Sequence, residues 1–149
     1  MGRDATTSSS FDRAARGFEF LDHPGDVKLR VWSTNLESLF AAAAEGMMLF
    51  LFGTGIANLE PDRTQTLEIE AKDREALLVE WLSELPYRAT CEYRAYMRFR
   101  IHELTESKLK ATAETVAAQA VEDIKAVTYH DLSVRKCECM WEASIVFDT

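Results

Sequence analysis

The segment Val27-Lys28-Leu29-Arg30-Val31 alternates apolar and basic side chains strictly. A period of two separates a dry face from a wet one in a β-strand, so the run predicts a half-buried strand. The pattern recurs along the chain. Phe18-Glu19-Phe20-Leu21 precedes it across an acidic turn, Asp22-His23-Pro24-Gly25-Asp26, whose proline and glycine suit a hairpin. Further strand-like runs occupy residues 64–71, 93–101, 109–113, 124–129, 132–136 and 141–147.

Two stretches carry the helical period instead. Ser33, Thr34 and Asn35 offer N-caps for a helix over Leu36–Phe52, in which Leu36, Leu39, Phe40, Ala43, Met47, Phe50 and Leu51 share one broad face. Gly53 and Gly55 follow as stop signals. Asp73 caps a second helix carrying Leu77, Leu78, Trp81, Leu82 and Leu85, which Pro86 is expected to end or kink. Thr115–Val121 fits either a loop or a short helix. Strands outnumber helices and do not alternate regularly with them. This predicts an α+β fold with two main helices packed on a mostly antiparallel or mixed sheet. The strand–helix units that start at Phe18 and Thr64 also resemble each other faintly.

A chain of 149 residues suits one domain, expected over residues 17–149. Residues 1–16 are polar, include Thr6-Thr7-Ser8-Ser9-Ser10, and are expected to form a disordered tail. The net charge of −8 argues against strong direct nucleic-acid binding, yet it suits docking on a basic enzyme. Apolar runs are too short to span a bilayer, and the N-terminus lacks the apolar core of a signal peptide. Three cysteines, an odd number, fit a reducing compartment. The expectation is a cytoplasmic protein, or one shared with the nucleus, rather than a secreted one.

Chemistry-bearing residues concentrate near the two ends of the folded part. The sequence closes on Ile145-Val146-Phe147-Asp148-Thr149, so the Asp148 side chain and the Thr149 terminal carboxylate stand side by side. Adjacent oxygen anions suit a hard cation. Strand pairing that brought them to the Asp22–Asp26 turn would complete a metal site, whereas Asp148 alone reads as a solvated strand end. Lys125 shares a strand face with Val127 and Tyr129, either leaning over such carboxylates or protecting an edge strand. Cys137-Glu138-Cys139 is incomplete as a zinc set, His130 suits turn chemistry better than ligation, and His23 either orients an aspartate of the acidic turn or serves as a structural hydrogen-bonder. There is no phosphate-binding glycine loop, nucleophile elbow or zinc-protease helix.

Several blocks then resemble the archease family. Phe18-Glu19-Phe20-Leu21-Asp22-His23-Pro24-Gly25-Asp26-Val27 is similar to its opening signature, and residues 77–85 to its second helix. Ile124-Lys125-Ala126-Val127-Thr128-Tyr129-His130 matches an internal block, and Ile145–Thr149 the characteristic ending. The blocks fall in family order between about residues 17 and 149. The chain departs from the pattern at Pro24-Gly25, at Pro86 and over Thr115–Val121.

The resemblance implies a strand–helix–strand–strand module with an elaborated second half. It also implies a non-catalytic partner of the GTP-dependent tRNA-splicing ligase, promoting the ligase's guanylylation and multiple turnover. By position it places metal ligands at Asp26, Asp148 and Thr149 for a divalent ion (calcium, magnesium or manganese), and a required lysine at Lys125. Two other classes stand beside this expectation: a stand-alone metal-dependent phosphoesterase, and a chaperone or adaptor for RNA-modifying enzymes.

Overall fold

The computed structural model describes residues 16–23 and 25–149. Residues 1–15, where most of the expected tail falls, and Pro24 lie outside the described residues. Seven strands and two α-helices are described: β1 (Arg16–His23), β2 (Asp26–Ser33), α1 (Leu36–Phe52), β3 (Arg63–Glu70), α2 (Arg74–Glu92), β4 (Arg94–Leu104), β5 (Lys108–Ala117), β6 (Ala126–Cys137) and β7 (Met140–Asp148), with a 3-10 turn at Thr54–Asn58.

The helix ends follow from local chemistry. Asn35 caps α1 by accepting from the Ser38 amide at 2.8 Å, and Asp73 caps α2 by accepting from the Ala76 amide at 2.8 Å. Gly53, at φ +79, closes α1 in a conformation that costs glycine little. Pro86 does not end the second helix, one of the two outcomes expected from the sequence. The helix runs to Glu92, and Tyr93, in the left-handed conformation, returns its amide to the Ala89 carbonyl. Leu82, Leu85, Pro86 and Ala89 are all buried. That packing offsets part of the cost of the helix bond that proline cannot donate.

All strand pairings are antiparallel, within two sheets ordered β1-β2-β7-β6 and β3-β5-β4. The second sheet and α2 form one strand–helix–strand–strand unit, β3-α2-β4-β5. The first sheet contains the same arrangement, β2-α1-β6-β7, with the order β2-β7-β6 matching β3-β5-β4. One unit is therefore inserted between α1 and β6 of the other. The internal likeness seen in the sequence is real, but its first member starts at β2, with β1 added as an outer strand.

Both helices contact both sheets: α1 packs on β1, β2, β7 and β4, and α2 on β3, β4, β5 and β6. Trp81 lies at the centre, fully buried, with its indole N–H donating to the Phe40 carbonyl at 3.0 Å. That bond ties α2 to α1 and satisfies the one polar atom of the ring. The two strands expected at 124–129 and 132–136 are one strand, β6. Its register with β7 shifts between Thr128 and Ser133. Asp131 within that irregularity has φ +56. The extra residues bulge out, which interrupts the period-two pattern and makes one strand read as two.

Candidate functional site

β2 begins at Asp26 and β7 ends at Asp148, and the register makes these residues direct partners. Core packing sets that register. Val27, Leu29 and Val31 lie opposite Phe147, Ile145 and Ala143, so a slip of one residue would expose this whole row. Asp26 and Asp148 then share the opposite face, at a cross-strand Cβ separation of about 4.5–5.5 Å. Ala126, the first residue of β6, faces Asp148 from the other side. Lys125 sits just before β6, and its amide donates to the Asp148 carbonyl at 2.7 Å.

The fold thus gathers Asp26, Lys125 and Asp148 at one end of the first sheet, although they are far apart in sequence. Asp26 is half-buried; Lys125, Asp148 and Thr149 are exposed. On β1, His23 pairs with Asp26, and Gly25, at φ +77, makes the turn between them. The side chains of Asp22 and His23 lie outside the description. Lys125 differs from expectation in standing ahead of the strand rather than within it. Its backbone anchors Asp148 while its side chain borders a cleft.

Two opposed carboxylates are hard oxygen donors of the kind a divalent cation takes. Among the described residues, no three His, Cys, Asp or Glu side chains gather to hold a metal ion. The pair therefore fits part of a coordination shell, with other oxygens needed to complete it. Cys137 and Cys139 stand at the β6–β7 turn, at the far end of β7 from Asp148. Cys91 is on α2, so no zinc set assembles from the three thiols. His130 lies in the β6 bulge, its Nε2 3.5 Å from Asp131.

The cleft beside Lys125 was not anticipated from the sequence. It holds about 420 Å³ between Ser83, Pro86, Tyr87 and Thr90 of α2 and the Asp123–Val127 segment. The spacing 83, 86, 87, 90 marks one helix face. Nothing local in the sequence shows that a distant segment walls it.

A model of the Archease protein family matches residues 18–149. The chain belongs to the archease family. Among curated relatives, protein archease of Methanosarcina acetivorans is 31% identical over 140 residues, covering 88% of this chain and 94% of the relative. Protein archease of Thermococcus gammatolerans is 32% identical over 142 residues, covering 89% and 99%. Among solved structures, the solution structure of Methanobacterium thermoautotrophicum protein 1598 is similar with a TM-score of 0.70 at 26% identity, covering 89% of this chain and 99% of that one. The crystal structure of a Thermotoga maritima archease, titled a possible chaperone, has a TM-score of 0.64 over 87% and 94% of the two chains. At 20% identity it supports the α+β fold alone. Membership in the archease family is consistent with an accessory, non-enzymatic role. No helix among the described residues is long and apolar enough to cross a membrane.

Proposed function

We propose that this archease-family protein is a non-catalytic activator of a GTP-dependent tRNA-splicing RNA ligase, promoting the ligase's guanylylation and turnover. The reading rests on the registered pair Asp26–Asp148 with Lys125 bonded to the same strand end. Asp26 and Asp148 would hold a divalent cation (calcium, magnesium or manganese), with an oxygen of Thr149 as a third donor. When bound, such an ion supplies Lewis-acid charge to phosphate oxygens.

The chain's own residues do the positioning. The sheet register holds the two aspartates opposed, and the Lys125 amide fixes the Asp148 backbone. The Lys125 ammonium adds a cation at the rim, suited to a phosphate or to a partner carboxylate. The chain's net charge of −8 complements a basic RNA enzyme.

The test is guanylylation of a purified ligase by GTP, with and without this protein. The wild type should accelerate it, and Asp148→Asn should fold with an unchanged melting temperature yet fail to stimulate. Full stimulation by that variant would overturn the site's assigned role. Hydrolysis of phosphoesters by the protein alone would favour an enzyme.

A further inference from the structure

Exposed apolar surface is unevenly distributed over the molecule. Among the described residues, the most exposed large apolar side chains are Val121 at 70%, Tyr87 at 67%, Tyr93 at 64% and Tyr129 at 57%; the next, Leu21, is at 39%. Tyr87 lines the main cleft and Tyr93 a smaller one beside it, and Val121 lies between Ala120 and Glu122, which also line the smaller one. Tyr87 is on the exposed face of α2, Tyr93 closes that helix, and Val121 lies on the strap joining β5 to β6. Tyr129 stands two residues beyond Val127, the last residue lining the cleft. Leaving this much aromatic surface in water is unfavourable unless something covers it.

The surface is concave and preformed. Besides the main cleft, a smaller one runs under the strap between Ala89, Thr90, Tyr93, Gln119, Ala120 and Glu122. The two share Thr90. The strap is held by its backbone: the Ala118 amide donates to the Tyr93 carbonyl at 2.9 Å. The Val121 and Glu122 amides both reach the Leu51 carbonyl, at 2.7 and 3.1 Å. Leu51 belongs to the last turn of α1, where carbonyls lack helical partners, so these bonds fix the strap to the rigid body. Tyrosines on such a platform offer large contact area with little entropy left to lose.

The charges indicate the occupant. Arg88 engages Glu84 at 2.7 Å, and the Tyr96 hydroxyl donates to Glu92 at 2.6 Å. Glu122 and Asp123 remain as adjacent exposed carboxylates on the strap, against one lysine, Lys125, in the lining of the two clefts. We propose that this face is a docking surface for a protein partner, in which a segment with an apolar anchor beside lysine or arginine fills the cleft. A second copy of this chain is a poor occupant, because two bodies of net charge −8 repel. Lys125 walls the cleft while its amide holds Asp148, so a segment seated there has the Asp26–Asp148 tip at its edge. The inference rests on the activator reading for which partner it is, though not for where the partner sits.

The test measures binding and stimulation separately, using the full chain. Tyr87→Ser, Val121→Ser and Asp123→Asn should each weaken binding to the purified ligase about tenfold or more. They should restore near wild-type guanylylation at saturating concentration and leave the melting temperature unchanged. Leu59→Ser, an exposed apolar site elsewhere, should bind as wild type does. If the three variants bind normally while Asp148→Asn abolishes stimulation, the surface is wrong and the activator reading stands. A second arm needs no ligase. Peptides selected from a random displayed library by the wild-type chain should carry an aromatic or aliphatic anchor beside Lys or Arg, and lose binding to Tyr87→Ser. If the wild type neither binds nor stimulates the ligase, but such peptides emerge, the activator reading fails and the surface stands. Selection of acidic peptides, peptides indifferent to Tyr87→Ser, or a concentration-dependent dimer that Tyr87→Ser dissolves would overturn the proposal.

Discussion

Asp26 and Asp148 are direct partners across the β2–β7 pairing, so two carboxylates oppose each other on one sheet face. Like charges placed this way destabilise a sheet by about 0.2–1 kcal/mol. Asp148→Asn should therefore keep or slightly raise stability without metal. Asp148→Asn and Asp26→Asn should each weaken calcium or manganese binding about tenfold or more, since affinity follows the number of charged ligands. Urea titration and isothermal titration calorimetry, with and without the ion, read the two effects. A loss of metal-free stability would mean that the pair is not strained by charge.

Lys125 contributes its backbone to the fold and leaves its ammonium to solvent. The 2.7 Å bond to the Asp148 carbonyl comes from the amide, which every residue but proline retains. Lys125→Met should thus melt at the wild-type temperature while stimulation of the ligase falls. Lys125→Pro should lose about 1 kcal/mol of stability as the bond disappears. Equal stimulation by wild type and Lys125→Met would show that the ammonium has no role.

Much of this was readable in the chain. The 3.6-residue period and the Asn35 and Asp73 caps located both helices, because those signals are local. Alternation locates the strands, and the aspartates and Lys125 stand out as chemistry-bearing residues in the sequence itself. What the chain concealed depends on long-range placement. The β6 bulge broke an alternating run in two, because extra residues reset the phase of a strand. The inserted second unit separates α1 from β6, so no window of sequence shows that Lys125 reaches Asp148. The cleft beneath Tyr87 was hidden for the same reason: one wall is a helix face, and the other arrives from the far end of β5.

Tyr96 gives the fold a pH signature. Its side chain is buried and its hydroxyl donates to Glu92, and burial first, then that bond, push its pKa from 10.0 up to about 12. A folded-state pKa above the unfolded one means the contribution is whole below pH 10 and is lost as pH climbs through about 12. Wild-type stability should decline over that window. Tyr96→Phe should decline less steeply, since it has no phenol to ionise. Urea midpoints at several pH values, compared between the two proteins, isolate the effect.

Arg94 is almost wholly buried, and its guanidinium is satisfied by few groups. Its Nε donates to the Thr115 hydroxyl at 2.9 Å, and Nη2 donates to the Thr115 carbonyl at 3.1 Å and to Asp62. Thr115→Val keeps the shape and the carbonyl but removes the hydroxyl from a fully buried position. The stranded N–H should cost about 1–3 kcal/mol by chemical denaturation. A change within a few tenths would mean that water reaches the Arg94 Nε.

Pro86 sits inside α2 against its own propensity, and two terms set the outcome of replacing it. Proline in a helix interior is about 3 kcal/mol less favourable than alanine, because a helical bond to the carbonyl four residues back is lost. Pro86→Ala restores an N–H that can reach the Leu82 carbonyl. Against this, Pro86 is buried, and removing the ring's outer methylenes forfeits about 0.8 kcal/mol each. The bond from the Thr90 hydroxyl to the Pro86 carbonyl, at 2.7 Å, involves the backbone and survives the change. The balance favours alanine by about 1–2 kcal/mol, a gain visible in the urea midpoint and as a higher melting temperature. A loss of stability would mean that the ring fills space the neighbouring side chains cannot, and that packing, rather than mere tolerance, keeps proline at this position.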